Sequence, residues 1–194
     1  MSAPAFYDEL RALRLERLLD ASVAIITEEG WDKLTMTRVA ERSGVPRQSL
    51  YKEVGTKSEL GEAVVQREVG RFLAGVRQGI ESHPDSVVEG LTAAARFALE
   101  YGEQNAMLKA IVQPGHDPEL LALLTVRPEA VLSQASALVS STLQAVHGAS
   151  GPKGAELEAL VDSMVRLTLS HLLQVTGPID VAVERIGRAV STYA

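Results

Sequence analysis

The side chains best suited to chemistry lie in one short polar stretch at positions 47–52. An Arg guanidinium can form two parallel hydrogen bonds with a guanine edge, and a Gln amide can do the same for adenine. Arg47 and Gln48 are therefore candidate readers of bases in a major groove, with phosphate contact as the alternative for each. Tyr51 and Lys52 are expected to contact phosphates, with Ser49 beside them.

The residues around this stretch predict two short helices joined by a tight turn. Ala40 is small enough for a close helix crossing, and Gly44 tolerates the positive φ that the turn requires. Leu50 is the apolar anchor on the inner face of the second helix, and Val39 and Val45 complete a small core. We predict a helix-turn-helix, with an ordinary helical hairpin that carries a solvated basic face as the alternative.

Capping signals set the ends of these helices. Thr35 is the expected N-cap of a helix spanning Met36 to Ser43, and Thr35 and Thr37 can bind phosphates at that helix N-terminus. Thr56-Lys57-Ser58-Glu59 is a capping box that begins a long helix. Lys57, in that box, is expected to reach the DNA backbone.

Charge is distributed unevenly along the chain. The segment 33–57 carries six Lys or Arg against Glu41 and Glu53, a net charge of +4, whereas the whole chain carries −6. A compact basic segment on an acidic body would orient the molecule on a polyanion.

These motifs resemble the N-terminal domain of TetR-family regulators. The resemblance rests on Leu34-Thr35, on Ala40 followed by Gly44-Val45, on Leu50-Tyr51 and on Lys57. It implies a regulator, most often a repressor, that a small effector releases from a palindromic operator on double-stranded DNA. The sequence departs from the family after Tyr51, because Glu53 places a negative charge where a phosphate-facing residue is common.

Helical spacing dominates the rest of the chain, so we predict an all-α fold. An N-terminal three-helix DNA-binding domain (1–56) is expected to precede a helical effector-binding and dimerisation domain (57–194). The predicted helices span Tyr7 to Glu29, Met36 to Ser43, Pro46 to Glu53, Thr56 to before His83, and then 86–104, 105–113, 117–125, 128–147, 154–176 and 179–192.

An apolar effector pocket is expected between helices of the region 86–176. Its candidate lining is mostly apolar, which favours a hydrophobic effector such as an acyl chain or an aromatic xenobiotic. For each residue, ordinary core packing is the alternative. The candidates are Phe97, Tyr101, Met107, Leu108, Ile111, Leu124, Met164, Leu167 and His171.

The last two predicted helices are expected to form a homodimer interface. Apolar residues recur at helical spacing in both, including Leu160 and Met164 in the first, and Val183, Ile186 and Val190 in the second. Two such helices from each subunit would form a four-helix bundle. The alternative is that they close the core of a single subunit.

Composition excludes several classes of function. The chain has no cysteine, so disulfides and thiolate chemistry are ruled out. Its four histidines lack metal-ligand spacing, and no phosphate loop or catalytic signature occurs, so we expect no enzyme, metal or cofactor. Without a signal peptide or membrane span, we expect a cytoplasmic protein. A helical enzyme or lipid carrier and a purely structural module are the competing functions.

Overall fold

The computed structural model describes residues 3–105, 128–148 and 150–193, and within these residues every regular secondary-structure element is a helix. The predicted all-α class is therefore confirmed. The α-helices are α1 (Ala3–Glu29), α2 (Met36–Ser43), α3 (Arg47–Val54), α4 (Lys57–Glu81), α5 (Val87–Gln104), α6 (Pro128–His147), α7 (Gly154–Leu173) and α8 (Ile179–Val190), and a 3-10 helix covers Trp31–Lys33.

Most predicted boundaries agree with these ranges to within a few residues. The helix α7 ends at Leu173 rather than at 176, because the β-branched Val175 and Thr176 precede Gly177-Pro178, a combination that disfavours helix. The 3-10 helix was not predicted. Two predicted helices, 105–113 apart from Asn105 and 117–125, lie outside the described residues, and so do the pocket candidates Met107, Leu108, Ile111 and Leu124.

The chain divides into two compact units, with the division between Glu68 and Val69. The first unit contains α1, α2, α3 and the beginning of α4. Its core is made by the inner faces of these helices, and the fully buried residues include Leu18, Ile25, Leu34, Val39, Leu50 and Leu60. The predicted domain boundary near Thr56 stays a prediction about function.

The second unit contains the end of α4 and the helices α5 to α8. Small residues let two of these helices approach closely: a Cβ on Gly79 of α4 would lie 2.7 Å from the backbone of Ala94 in α5. The core joins α5 to the inner faces of α6, α7 and α8, and its fully buried residues include Ile80, Leu91, Ala94, Leu143, Leu160, Ile186 and Val190.

No helix in the described ranges is both long enough and apolar enough to span a membrane.

Candidate DNA interface

The turn between α2 and α3 is built as the sequence predicted. Thr35 has an extended backbone and caps α2, its Oγ1 accepting a hydrogen bond from the Arg38 N–H at 3.3 Å. Gly44 ends α2 with φ 67° and ψ 14°, the left-handed conformation that glycine adopts most easily. Ser43 adds a contact that was not predicted, because its Oγ accepts a hydrogen bond from the Val45 N–H at 3.2 Å.

Helix α3 buries one face and exposes the other. Leu50 and Val54 are buried against α1 and α2, and Val39 and Val45 are buried as expected. The opposite face presents Arg47, Gln48, Tyr51 and Lys52 to solvent, while Ser49 is half-buried at its edge. Thr35 and Thr37 are exposed at the start of α2. The predicted outward residues thus share one accessible surface.

The Arg47 side chain packs against the Tyr51 ring on this surface. The guanidinium carbon of Arg47 is 5.7 Å from the centroid of the Tyr51 ring, and Nη2 donates to the Tyr51 hydroxyl at 3.4 Å. This cation–π arrangement stabilises an extended Arg47 side chain. Since a guanidinium stacked on a ring keeps its outer N–H groups available, Arg47 can still bond a base edge or a phosphate.

Glu53, the departure from the family pattern, is turned toward α1. Its side chain is only 10% exposed, and its Oε2 accepts a hydrogen bond from Arg11 Nε at 2.7 Å. Arg11 therefore neutralises the single acidic residue of α3. No local sequence signal predicts this pair, because its members are separated by 42 positions.

Two of the six basic residues in the segment 33–57 are paired with the end of α1. Arg38 binds both carboxylate oxygens of Glu29, at 2.5 and 2.6 Å. Arg42 binds Glu28 in the same two-pronged way, at 2.6 and 2.7 Å. The hydrogen bonds from Arg42 hold the pKa of Glu28 below its ordinary value, and Glu28 in turn raises the pKa of Arg42. These arginines therefore fasten α2 to α1.

Lys57 lies over the ring of Trp31, a residue that was not among the predicted site residues. Its Nζ is 4.8 Å from the centroid of the Trp31 ring, and Trp31 is buried in the 3-10 helix. The contact positions the ammonium group at the start of α4 without neutralising it. In the segment 33–57, four cations have no carboxylate partner within the described part of the chain: Lys33, Arg47, Lys52 and Lys57.

The capping box at the start of α4 is present with both reciprocal bonds. The Thr56 N–H donates to Glu59 Oε2 at 2.8 Å, and the Glu59 N–H donates to Thr56 Oγ1 at 3.2 Å. The Thr56 hydroxyl also donates to Glu59 Oε2 at 2.8 Å. The bond from the Thr56 backbone, followed by that from its hydroxyl, lowers the pKa of Glu59.

In the second unit, an aromatic cluster includes two of the predicted effector residues. The rings of Phe97 and Tyr101 have centroids 5.5 Å apart, and Phe72 of α4, which was not predicted, lies 6.3 and 5.7 Å from them. Gly75 lets the Phe97 ring pack closely against α4, and Gly102 lets the Leu172 side chain pack closely against α5, because a Cβ at either glycine would overlap that side chain.

The remaining described candidates lie on α7. Met164 is buried in the core, whereas Leu167 and His171 are half-buried. On the same helix, Thr168 is 8% exposed, and its Oγ1 has no hydrogen-bond partner among the described residues. A threonine within a helix can bond a carbonyl of the preceding turn. The Thr168 hydroxyl makes no such bond, so it is a buried polar group available to a ligand.

Comparisons with known families match both parts of the chain. The model described as "Bacterial regulatory proteins, tetR family" matches residues 18–64. The model described as "Bacterial Tetracyclin repressor, C-terminal domain" matches residues 86–191, more than half of the chain.

Individual relatives are distant. The HTH-type transcriptional regulator AlkX of Mycobacterium tuberculosis is 24% identical over 162 residues, which are 84% of this chain and 76% of that protein. The HTH-type transcriptional activator FasR of Mycolicibacterium smegmatis is 28% identical over 130 residues, 66% of this chain and 59% of that protein.

Solved structures show the same fold. The repressor AlkX from Dietzia, described as implicated in biodegradation of n-alkanes, superposes with a TM-score of 0.70 at 20% identity, covering 91% of this chain and 95% of its own. The fatty acid degradation regulator FadR from Bacillus halodurans superposes with a TM-score of 0.56 at 13% identity, covering 91% of this chain and 94% of its own.

Proposed function

Because this chain belongs to the TetR family of bacterial transcriptional regulators, we propose that it is a repressor whose homodimer binds a palindromic operator. A small hydrophobic effector releases it from that operator. The exposed face of α3 carries the proposal: four polar side chains share this face, while Leu50 and Val54 bury the other.

The proposal assigns a role to each residue of that face. Arg47 and Gln48 contact base edges, because their forked donors and acceptors match guanine and adenine. Tyr51, Lys52 and Lys57 contact phosphates, as do Thr35 and Thr37 at the N-terminus of α2. Ser49 lies at the edge of the face and completes the proposed contact with DNA.

Binding to the DNA upstream of the chain's own coding region tests the function. Fluorescence anisotropy should give a much lower Kd for that duplex than for a scrambled duplex of equal length and base content. A helical enzyme, lipid carrier or structural module would show equal Kd values for the two duplexes. A reporter driven by the bound promoter then gives the sign: removing the protein raises expression for a repressor and lowers it for an activator.

For the effector, we propose a molecule with an aliphatic chain. The aromatic cluster of Phe72, Phe97 and Tyr101 offers an apolar surface, and Thr168 offers one buried hydroxyl for a polar end group. The descriptions of the n-alkane and fatty acid regulators make acyl chains the first compounds to test. Met164, Leu167 and His171 complete the proposed lining from α7, with Met107, Leu108, Ile111 and Leu124 as the remaining predicted members.

The proposed homodimer needs a surface other than the apolar stripes that first suggested it. Val183, Ile186 and Val190 of α8, and Leu160 and Met164 of α7, are buried within the protomer core. The α8 stripe therefore serves the alternative role of closing the subunit, and the outward side of α7 remains for a partner.

We propose that α6 joins α7 in the dimer interface. The sequence 131–152 contains no Asp, Glu, Lys or Arg, although α6 exposes side chains such as Gln134, Ala137, Ser141 and Ala145. Depletion of charged residues on an exposed face is typical of the centre of an interface.

An Ala137→Glu variant tests this surface. It should change the mass measured by light scattering from twice 20.8 kDa to that of one chain, because an unpaired carboxylate would be desolvated in the interface. Ala74→Glu, an equal change at an exposed position of α4, should leave the dimer intact. An unchanged mass for Ala137→Glu would remove α6 from the interface.

We propose that α4 transmits the effector signal. This helix carries Lys57 of the DNA-binding face at its start and Phe72 of the aromatic cluster further along. Effector binding would shift the population from a state whose two α3 helices fit successive major grooves to one whose spacing does not. Structures with and without effector that keep the same α3 spacing would contradict this step.

A further inference from the structure

Beyond the proposed function, on which the inference rests, we propose that α1 provides a second DNA contact, in which Arg14 and Arg17 bind phosphates beside the groove occupied by α3. The DNA-binding role proposed above belongs to α2, α3 and the start of α4. The inference adds a backbone contact from α1, a helix to which the proposed function assigns no DNA contact.

The five charged residues between positions 11 and 20 of α1 lie along two edges. Arg11, Arg14 and Arg17 recur at intervals of three, so they share one side of the helix. Glu16 and Asp20 lie four apart on another side. An edge of three arginines has the charge to bind a phosphate backbone, whereas the acidic edge would be repelled by it.

Contacts within the first unit show where the two edges point. Arg67 of α4 bonds Glu16 Oε2 at 3.2 Å and Asp20 Oδ1 at 2.8 Å, so the acidic edge faces α4. The basic edge faces the helix-turn-helix, as the positions of Arg11 and Arg17 show.

Arg17 and Arg11 lie next to opposite ends of α3. The Nη2 of Arg17 is 3.2 Å from the position that a Cβ on Gly44 would occupy, in the turn before α3. Arg11 bonds Glu53, in the last turn of α3. Because eight residues of helix span about 12 Å, the arginine edge follows α3 over its whole length.

This placement puts guanidinium groups where a phosphate strand would lie. The major groove is about 12 Å wide and is bordered by the two phosphate backbones, so a helix flanking the inserted α3 meets one of them. Arg17 is exposed and has no carboxylate partner among the residues described here, and Arg14 is held by a 3.2 Å bond from its Nε to the Leu10 carbonyl. Arg11 is occupied by Glu53, which leaves Arg14 and Arg17 as the phosphate ligands.

The test is the salt dependence of DNA binding by Arg17→Gln and Arg14→Gln variants of the full chain. The slope of log K against log[KCl] should become less steep by about 1.8 for each variant, since each homodimer loses two phosphate contacts at about 0.9 per contact. Specific and non-specific duplexes should lose affinity by the same factor, because phosphates carry no sequence information.

Two further variants separate charge from fold. Arg17→Lys should keep the wild-type slope, because it retains the positive charge, and Arg77→Gln, an exposed arginine of α4, should keep it as well. Phosphate ethylation interference should show positions that block wild-type binding but no longer affect Arg17→Gln.

Each result has a distinct meaning. A slope unchanged in both Arg17→Gln and Arg14→Gln, or one reduced equally in Arg17→Lys and Arg17→Gln, overturns the α1 contact. A wild-type protein that does not distinguish its upstream DNA from a scrambled duplex overturns the proposed regulator function instead. Salt-dependent binding that weakens in the glutamine variants would support the contact in either case.

Discussion

Arg47 and Gln48 share a helix face with Lys52, but the proposed contacts differ. Arg47 and Gln48 are proposed to contact base edges, whereas Lys52 is proposed to contact a phosphate. We expect Arg47→Ala and Gln48→Ala each to cost about 1–3 kcal/mol of binding to the operator, with little loss on a scrambled duplex. Lys52→Ala should weaken both duplexes alike, because a lysine contacts a phosphate as a point charge. Anisotropy titrations on the two duplexes measure both effects.

The same titrations distinguish the two interpretations of Arg47. If Arg47→Ala lowers affinity for the scrambled duplex as much as for the operator, then Arg47 contacts the backbone and its stacking on Tyr51 serves to hold it there. Tyr51→Phe is a suitable control, since it keeps the ring under the guanidinium and removes only the hydroxyl bond at 3.4 Å.

The pair of Arg11 and Glu53 should act on DNA binding through charge. Arg11→Ala leaves the Glu53 carboxylate unpaired at the end of α3, so operator affinity should fall about two- to fivefold, as expected for a partly exposed ion pair. Adding Glu53→Gln should restore it, because the repulsive charge is gone. A double variant as weak as Arg11→Ala alone would show that Arg11 itself contacts the DNA.

Removing the hydroxyl of Thr168 should have opposite effects on the stability of the protein and on its affinity for an effector. Since a buried hydroxyl without a partner costs about 1–3 kcal/mol, Thr168→Val should raise the free energy of unfolding by about 1 kcal/mol. It should also weaken binding of any acyl effector whose polar group bonds Oγ1. Urea unfolding and calorimetric titration measure these two quantities.

Thr142 is a matched control for that substitution. It is also buried, but its Oγ1 donates to the Leu138 carbonyl at 2.7 Å. Thr142→Val should therefore not raise stability. If Thr168→Val lowers the free energy of unfolding instead of raising it, Thr168 has a hydrogen-bond partner in solution, and its proposed role toward the effector fails.

At the scale of the element, the capping box at the start of α4 makes stability depend on pH. The pKa of Glu59 in the folded protein lies below its ordinary value of 4.5, because Thr56 donates two hydrogen bonds to its carboxylate. Ionised Glu59 therefore contributes stability above about pH 4.5, and that contribution disappears as the pH falls through the lowered pKa.

Glu59→Gln should accordingly be less stable than wild type at pH 7, with a difference that shrinks in acid. Thr56→Ala should cost about 1 kcal/mol at pH 7, since it removes the N-cap hydroxyl. Glu62→Gln is the matched control, because it changes an exposed carboxylate of the same helix that lies outside the capping box. Urea unfolding at pH 7 and in acid measures these effects, and a difference that grows on acidification would contradict the assignment.

The elements that sequence predicted well are those set by neighbouring residues. Thr35 as N-cap, Gly44 in the turn and Thr56 with Glu59 in the capping box are all signals within four positions, and all are present. The contacts that sequence missed join distant segments, such as Arg11 with Glu53 and Lys57 with Trp31. Only the packing of α1 and the 3-10 helix against their neighbours brings those side chains together.

At the scale of the whole molecule, periodicity could not say which apolar stripes face a partner. The stripes of α7 and α8 have the spacing of an interface, but Ile186 and Val190 fill the core of the protomer. The better indication of a partner surface is that residues 131–147 of α6 include no Asp, Glu, Lys or Arg, although several of their side chains are exposed. The proposed partner surface therefore rests on both the sequence and the fold.

If an effector releases the dimer from DNA, the two ligands must oppose each other to the same extent. An acyl compound that weakens operator binding by a given factor must itself bind more weakly, by that factor, to the operator-bound dimer. We expect a factor of about 5 to 150, the usual range for such coupling. Calorimetric titration of myristate or palmitate into the protein, with and without operator, measures it.

The scrambled duplex is the control, because non-specific binding does not require the two α3 helices to hold one spacing. Effector affinity that is the same with and without operator would mean that the bound molecule is a passenger rather than a signal. Tighter effector binding in the presence of operator would reverse the sign, since a ligand that favours the DNA-bound state acts with the regulator instead of releasing it.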